Sequence, residues 1–523
     1  MRTRIRIAIS LALLISACRA QTANPGFREE PIAQASPGAE LESSVIGEKH
    51  IAWVEKRNGK RTVHLDGTQQ GGIFDEVKHL TLAAHESHVA FFGKRDSAWI
   101  FVLDGQEHAQ RYKNTTSVEF QPAGSSYAYC ACQGRACRLT VDGTETSPEY
   151  QDVSYPQYSP DGKRLAFFGK RQKRWIAVID GKEFGPELED FWASAWGFTH
   201  KGNFFVAGYS GGRKGGWSYV VDGVAGPQFD VLSPISFSAD AHYAYAGATS
   251  KSGFKKDKPT GTIVLDGKAL DPTYEGRGFG GAALSIFGGV TETMLGGVRD
   301  LDGDFHGVSS PQFSPDGKLA YAARRGDGNV VVFIDGKSGP AFDDVSNFLI
   351  FGDDASHYAY VARSGEEFIT VLDGHSGAHF APGKRGATQV GWIALKDKDH
   401  VAFESVSGGR VFKAGETARA LRTVVLDGGA LKEYDAFNIS YFEFGDAGHY
   451  SFVVRGASGS NDLINIDGHE SRLYSDVLRT HPAEEGKSAT YVARDGSRFF
   501  RVTYSPEKAP PSGVPTAAIP SVN

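Results

Sequence analysis

A short phrase of the form hydrophobic-x-hydrophobic-Asp-Gly recurs along the chain at a nearly constant spacing. Its first three intervals, from position 66 to 104, to 142 and to 180, are 38 residues each, and most later ones lie within a few residues of that. A period of about 40 residues marks a repeat architecture, in which one small unit is copied and stacked. It overrides the three or four ordinary domains that 523 residues would otherwise suggest. The aspartates of the phrase are Asp66, Asp104, Asp142, Asp180, Asp222, Asp266, Asp302, Asp335, Asp373, Asp427 and Asp467.

Each unit reads as four short strands, which we name a to d. In the copy at 154–190, strand a is "YPQYS", and strand b is "RLAFFGK" after a turn at "PDG". Strand c is "RWIAVI", and strand d, "EFGPELEDF", follows a second turn at Asp180-Gly181. Four strands in about 40 residues form one blade of a β-propeller. With a further unit at the C-terminus, "KSATYVARDGSRFFRVTY", the sequence predicts an all-β propeller of about twelve four-stranded blades.

Two copies keep a fuller signature, "YSPDGKRLAFF" at 158–168 and "FSPDGKLAYAA" at 313–323. With the following "VVVFIDGK", this resembles the TolB-like, WD40-like propeller repeat of exported bacterial proteins. The resemblance covers roughly residues 42 to 505. It implies the fold and export from the cytoplasm, but little chemistry, because propellers carry many unrelated functions.

The Gly-rich stretch at 275–290 interrupts the pattern between the sixth and seventh units. We interpret it as a boundary and predict two tandem six-bladed rings, at 42–276 and 277–506. A single irregular ring and a seven-plus-five division are the alternatives. The Pro-rich tail at 507–523 is predicted to be disordered.

The N-terminus carries an export signal. Three arginines precede an apolar run that is too short to span a bilayer, so residues 1–17 are predicted to be a signal peptide. "ISAC", ending at Cys18, resembles a bacterial lipobox, in which the cysteine is lipidated; simple cleavage after Ala20 is the alternative. Residues 18–41 are predicted to be a linker. The expected location is the periplasm or outer membrane, with a lipid anchor if the lipobox is used.

The three remaining cysteines lie in "YAYCACQGRAC". If two strands flank the turn, Cys132 and Cys137 face each other and can form a disulfide in an oxidising compartment. The alternative is a metal site of three thiolates that also uses Cys130.

Three motifs can be interpreted as catalytic or metal-binding sites. "GYSGG" at 208–212 fits a serine-hydrolase elbow, but here it occupies a turn between strands b and c, and no α/β domain follows. The histidines His85 and His88 of "HESH", with His242, His357 and His449, are interpreted as turn residues; the last three are aligned with Lys163. No cofactor is expected, but Asp300, Asp302 and Asp304 alternate beside a glycine and are a candidate calcium site. The alternative is that Asp302-Gly303 is an ordinary turn of its unit.

The clearest functional signal is the clustering of basic residues in the b–c turns of the first half. These turns are predicted to share one face of the ring, which would attract anionic partners. A plain solvated surface is the alternative. The predicted partner-binding residues are Lys56, Arg57, Lys60, Arg61, Lys94, Arg95, Lys170, Arg171, Lys173, Arg174, Arg213 and Lys214; Lys255, Lys256 and Lys258 extend the pattern.

A net charge of −6 does not indicate a nucleic-acid-binding protein. We therefore expect a non-enzymatic binding or scaffold protein of the bacterial cell envelope, which engages an envelope protein or an anionic envelope polymer. The alternatives are a propeller hydrolase or lyase with a site in the central channel, and a calcium-dependent adhesion protein.

Overall fold

The computed structural model describes residues 26–505, except 48, 84–87, 123, 250–259, 276–306, 353–354, 366, 381–388, 408–419, 428, 446–448, 457–461 and 482–488. Within these residues the chain forms 48 strands and one short 3₁₀ helix, Gly212–Lys214. The strands build eleven small antiparallel sheets, each ordered from an inner strand a to an outer strand d. The all-β propeller predicted from the sequence is therefore confirmed.

The first six sheets, blades 1 to 6, follow the chain in order. In blades 3, 4 and 6 the inner strand is split into two short pieces that pair with the same strand b. Blade 1 contains β2 (Glu40–Ile46), β3 (Ile51–Arg57), β4 (Lys60–Leu65) and β5 (Thr68–Phe74). Blade 2 contains β6 (Glu76–Leu82), β7 (Val89–Arg95), β8 (Ala98–Leu103) and β9 (Gln106–Glu107). Blade 3 contains β10 (Asn114–Thr115), β11 (Glu119–Phe120), β12 (Tyr127–Gln133), β13 (Ala136–Val141) and β14 (Thr144–Glu145).

Blades 4 to 6 repeat this arrangement. Blade 4 contains β15 (Asp152–Val153), β16 (Gln157–Tyr158), β17 (Leu165–Arg171), β18 (Arg174–Ile179) and β19 (Lys182–Leu188). Blade 5 contains β20 (Asp190–Phe198), β21 (Phe204–Ser210), β22 (Gly216–Val221) and β23 (Val224–Ala225). Blade 6 contains β24 (Val231–Leu232), β25 (Ser236–Phe237), β26 (Tyr243–Thr249), β27 (Thr260–Leu265), β28 (Lys268–Ala269) and β29 (Tyr274–Glu275).

Blades 7 to 10 occupy the second half of the chain. Blade 7 contains β30 (Gln312–Phe313), β31 (Leu319–Arg324), β32 (Val330–Ile334) and β33 (Lys337–Phe342). Blade 8 contains β34 (Asp344–Phe351), β35 (Tyr358–Ser364), β36 (Glu367–Leu372) and β37 (His375–Phe380). Blade 9 contains β38 (Gln389–Asp397), β39 (His400–Ser407), β40 (Ala420–Leu426) and β41 (Gly429–Ala436). Blade 10 contains β42 (Asn438–Phe444), β43 (Tyr450–Arg455), β44 (Leu463–Ile466) and β45 (His469–Glu470).

The last sheet joins the two ends of the described chain. Blade 11 takes its three inner strands, β46 (Asp476–His481), β47 (Ala489–Asp495) and β48 (Arg498–Tyr504), from the C-terminus. Its outer strand is β1 (Phe27–Gln34), which pairs antiparallel with β48, so that Phe27 lies opposite Tyr504 and Gln34 opposite Arg498. The prediction that residues 18–41 form a linker is therefore wrong for Phe27–Gln34. A polar segment can form a strand here because an outer strand buries little of its surface.

A separate hydrophobic cluster fills each junction between neighbouring blades. Blade 11 meets blade 1 through Phe499, Ile51 and Trp53. Blade 6 meets blade 7 through Ile263 and Val308, with other buried residues of both sheets. The described blades therefore form one closed circuit. The other junctions are filled by the clusters around Val63 and Phe91, Phe101 and Tyr129, Tyr150 and Phe167, Phe168 and Phe204, Tyr219 and Tyr245, Val332 and Tyr360, Val361 and Phe403, Tyr434 and Phe452, and Ile464 and Tyr491.

This circuit corrects the prediction of two tandem rings. Two tandem rings would require blade 6 to close on blade 1, whereas blade 1 packs against blade 11. The Asp302 unit and the Gly-rich interruption lie outside the described residues from 276 to 306, and blades 6 and 7 pack directly on each other. The described residues form eleven blades, close to the predicted number of about twelve.

Candidate functional site

The strand pairing defines two faces of the ring. The Asp-Gly turns and the a–b turns lie on one side, which we call the Asp-Gly face. The b–c turns and the connections from strand d to the next strand a lie on the other, which we call the b–c face. Contacts across blade junctions agree with this, because Lys60 in a b–c turn hydrogen-bonds to Asp75 in a connection. The face assignment made from the sequence is therefore correct for these turns.

The repeated aspartate on the Asp-Gly face has a structural task. Asp104 and Asp180 adopt left-handed backbone angles, with φ of 49° and 52°. Their Oδ1 atoms accept hydrogen bonds of 2.9 Å from the backbone N–H groups of Val89 and Leu165, at the start of strand b. The carboxylate thus ties the c–d turn to the a–b turn of its own blade. The same bond is made by Asp66, Asp142, Asp222, Asp266, Asp373, Asp427 and Asp467.

The second oxygen of several of these aspartates holds a histidine. In five blades an imidazole Nδ1 lies 2.6–2.8 Å from Oδ2 of the Asp-Gly aspartate. Arg164 occupies this position in blade 4, 3.5 Å from Asp180, so the alignment of the histidines with Lys163 is wrong by one residue. The contacts agree with the prediction that His88, His242, His357 and His449 are turn residues. His85 lies outside the described residues. The five histidines are His50, His88, His242, His357 and His449.

The "SPDGK" turn is also held by its own side chains. Ser159 Oγ donates to Asp161 Oδ1 at 2.6 Å, and the backbone N–H of Lys163 donates to the same oxygen at 3.1 Å. The Ser159 hydrogen bond, together with those from Lys163, lowers the pKa of Asp161 to about 2. Gly162 supplies the left-handed angle of the turn, with φ of 69°.

Most of the basic residues predicted to bind a partner are paired with carboxylates. Arg61 lies 2.6 Å from Glu42, and Lys94 lies 2.6 Å from Glu76. These acids stand on inner strands, which begin at the b–c face, so they reach the cations of the turns. The b–c face is therefore less positive than the lysines and arginines alone indicate. The paired cations are Lys56, Lys60, Arg61, Lys94, Arg95, Arg171 and Arg174.

The other five predicted cations are Arg57, Lys170, Lys173, Arg213 and Lys214. Except for half-buried Lys170, they are exposed. Four of them belong to the b–c turns of blades 4 and 5, and Glu189 connects those two turns. Its Oε1 accepts hydrogen bonds from Arg174 at 3.2 Å and from the backbone N–H of Gly212 at 2.8 Å. The structure therefore places four cations on two linked turns.

Aromatic side chains stand beside these turns. Lys170 Nζ lies 4.8 Å from the ring centre of Trp175, a cation–π distance. In blade 5 the Trp192 and Trp217 ring centres are 5.0 Å apart, and Tyr209 lies 5.5 Å from Trp217. All four rings are half-buried. We call this group of residues the blade 4–5 patch: Lys170, Lys173, Trp175, Trp192, Tyr209, Arg213, Lys214 and Trp217. In the sequence, the Trp that recurs near the start of strand c could have indicated the aromatic part of the patch.

The serine of "GYSGG" is part of a turn. Ser210 ends β21, and its Oγ accepts a 3.0 Å hydrogen bond from the Gln228 side-chain amide. A single-turn 3₁₀ helix follows, where a hydrolase elbow would have a long helix. An amide cannot serve as the general base that activates a serine.

The cysteines form a disulfide across the b–c hairpin of blade 3. Cys132 and Cys137 lie opposite each other on β12 and β13 and are covalently joined. Cys130 is a buried free thiol whose pKa is raised well above its usual value by burial. Metal-binding cysteines must be thiolates. Here two of the three sulfurs are joined in the disulfide and burial disfavours the thiolate of Cys130, so the arrangement does not support a three-thiolate metal site.

Two acids on inner strands were missed by the sequence analysis. Glu119 lies opposite Ala128 in blade 3, and Glu443 lies opposite Ser451 in blade 10. Burial raises the pKa of Glu119 to about 7 and also raises that of Glu443. They belong to blades 3 and 10, which are not neighbours in the ring. Other blades have different residue types at this position of the repeat, so the sequence shows no recurring acid that would indicate the two glutamates.

Some predicted sites fall outside the described residues, namely Cys18, the calcium candidate Asp300, Asp302 and Asp304, and Lys255, Lys256 and Lys258. Among the described residues, no three His, Cys, Asp or Glu side chains form a group that could hold a metal ion. The helix found in the same part of the chain is too short and too polar to cross a membrane.

No family model and no curated protein matches this chain. Solved structures that resemble it include a eukaryotic initiation factor, with 9% identity over 67% of this chain and 90% of that one, and a TM-score of 0.31. TolB from Acinetobacter baumannii has 15% identity over 42% of this chain and 62% of its own, with a TM-score of 0.24. The β-propeller domain of the Trilobed protease from Pyrococcus furiosus has 9% identity over 76% and 99%, with a TM-score of 0.25. These likenesses concern the fold and assign no activity.

Proposed function

We propose that this chain is an exported β-propeller of the bacterial cell envelope, anchored by a lipid on Cys18, that binds another protein through the blade 4–5 patch. The observation that carries the proposal is a combination of cations and tryptophans at two linked turns. Lys173, Arg213 and Lys214 are exposed and form no ion pair among the described residues, and tryptophan rings stand beside them. Trp, Tyr and Arg supply most of the binding energy in protein interfaces, because their large rings or planar groups are buried on association. The expected partner therefore presents acidic and apolar side chains together.

The paired cations elsewhere on the b–c face support this choice of site. A cation already held by a carboxylate loses that interaction when it turns to a partner, so its net contribution to binding is small. Lys173, Arg213 and Lys214 are exposed and bear no such partner among the described residues. They can attract an acidic segment from a distance, while the neighbouring rings provide the area that is buried afterwards.

The test is capture of the partner from detergent-solubilised native envelope. Replacement of Lys170, Lys173, Arg213 and Lys214 by Ala should weaken capture, and the difference should shrink as salt is raised, because exposed charges are screened. A matched control replaces four lysines of the Asp-Gly face, Lys182, Lys201, Lys268 and Lys337, by Ala. This control changes the net charge equally and should leave capture unchanged.

A second variant tests the aromatic half of the patch. Trp217→Ala should reduce capture by at least about tenfold if this ring is an interface anchor, and the reduction should persist at high salt. Its circular dichroism and melting curve must match those of the original chain. Equal capture by the patch variants, the Asp-Gly face control and the unaltered chain would rule out this surface as the binding site.

A further inference from the structure

The described chain enters and leaves the ring on the Asp-Gly face. The Ser505 N–H donates to the Gly26 carbonyl at 3.1 Å, so the two ends lie side by side. The Tyr504 ring lies against that of His469, with ring centres 5.8 Å apart, and His469 directly follows the Asp467-Gly468 turn of blade 10. At the opposite end of β1, the Ala35 N–H donates to Ser497 in the b–c turn of blade 11. Strand β1 therefore runs from the Asp-Gly face to the b–c face.

The first residues of β1 are firmly held. The Phe27 ring lies 4.8 Å from that of Tyr504 and is buried. Two positions later, Glu29 accepts hydrogen bonds from Arg472 Nε at 2.6 Å and from the Tyr474 hydroxyl at 2.7 Å. A chain attached upstream of β1 is thus fixed to the ring at a defined point on the Asp-Gly face.

Phe27 lies only nine positions after Cys18 in the sequence. Nine residues reach at most about 30 Å when fully extended. A strand of seven residues, such as β17, already spans about 23 Å of the ring's thickness. A lipid on Cys18 could bring the b–c face to the bilayer only if about three quarters of the tether's full reach were used to cross the rim.

From this geometry we infer that the Asp-Gly face is a membrane-facing surface and that the b–c face is directed away from the bilayer. The inference rests on the proposed lipid anchor and adds an orientation to it. The partner of the Asp-Gly face is a lipid surface, approached at the rim of blade 11. The blade 4–5 patch then points into the aqueous compartment, where a protein partner can reach it.

The experiment places one fluorophore on each face of blade 1, the neighbour of blade 11. Thr68→Cys lies at the Asp-Gly face and Arg57→Cys at the b–c face, and both positions are exposed. The labelled full-length lipoprotein is reconstituted into vesicles of phosphatidylethanolamine and phosphatidylglycerol that carry a headgroup energy acceptor. Donor fluorescence should fall more at position 68 than at position 57. The unsubstituted chain is the labelling blank, because its free Cys130 is buried.

Two further measurements separate the possible failures. Mass spectrometry of the purified chain shows whether Cys18 carries acyl groups; without them the proposed anchor and this orientation both fail. If the chain is acylated and the fall is equal at both positions or greater at position 57, the orientation alone is overturned. A flexible Gly/Ser insertion of twenty residues between Cys18 and Phe27 should abolish the difference, because a longer tether no longer restricts which face meets the bilayer.

Discussion

Glu29 and Arg472 lie 443 residues apart in the chain and are joined by two hydrogen bonds, from Nε at 2.6 Å and from Nη2 at 3.2 Å. Glu29 belongs to the N-terminal strand of blade 11, whereas Arg472 follows β45 in blade 10. The same guanidinium lies 4.3 Å from the Tyr474 ring centre and 2.9 Å from Asp495. This network holds the N-terminal strand where the ring closes.

Breaking that pair should loosen the closure of the ring. Glu29→Gln should lower the free energy of unfolding by about 1–3 kcal/mol, because charge-assisted hydrogen bonds are replaced by weaker ones at a partly buried site. Urea unfolding of Glu29→Gln, Arg472→Gln and the double variant gives the coupling energy of the pair. Glu30→Gln, on the exposed side of β1, is the control and should change little. Strict additivity of the two single changes would contradict the role assigned to the pair.

Glycines in strand b allow an aromatic ring of the preceding blade to pack close to the backbone of the sheet. A Cβ added at Gly169 would overlap the Tyr150 ring, and the same holds for Gly93 with Phe74 and Gly247 with Phe229. Gly169→Ala should therefore destabilise the fold by about 1–3 kcal/mol. At Gly326 an added Cβ meets nothing within 4 Å, and Gly326→Ala should be neutral or slightly stabilising. Similar melting temperatures for both variants would refute this account of the glycines.

The Asp-Gly aspartates should act mainly through one oxygen. Asp104→Ala removes the acceptor for the Val89 N–H and should cost about 1–2 kcal/mol. Asp104→Asn keeps a carbonyl oxygen and tolerates the left-handed angle, so it should cost clearly less. Chemical denaturation of both variants checks the order. If Asn were as harmful as Ala, the charge that faces His88 would be the main contribution instead.

Glu119 should give the fold a measurable pH dependence. Burial raises its pKa from the ordinary 4.5 to about 7, so the folded protein favours the protonated acid. The contribution of protonated Glu119 to the free energy of unfolding is fully present below about pH 4.5 and is lost as the pH rises through about 7. Glu119→Gln should therefore gain about 1–3 kcal/mol relative to the unaltered chain between pH 5 and pH 8. Urea midpoints across that range provide the measurement, and parallel curves for the two proteins would disprove it.

The prediction of the fold from sequence succeeded because the repeat is carried by local chemistry. The Asp-Gly turn needs a left-handed residue followed by glycine, and the "SPDGK" turn needs a hydroxyl, a carboxylate and a glycine. Each requirement is met within a few residues, so it is visible in the sequence. The strand alternation on either side follows from burial of one blade against the next.

The candidate site was only partly predictable. Arg213 and Lys214 could be recognised as basic turn residues. Nothing local indicates that Lys94 pairs with Glu76 while Lys173 forms no ion pair within the described part of the chain. The acids come from neighbouring strands, and their reach depends on how the blades are placed. The prediction of a broadly cationic face stays a prediction, now narrowed to the blade 4–5 patch.

By itself the sequence determined the blade, its four strands and the two faces on which its turns lie, because those properties depend on short-range turn chemistry and on a hydrophobic period of two. Only the tertiary structure decided that the described blades form one circuit and that Phe27–Gln34 closes it. Ring closure depends on contacts such as Glu29 with Arg472, which join the two ends of the chain. Such contacts join residues that are far apart in the chain and depend on how all the blades are placed, so no local sequence pattern indicates them.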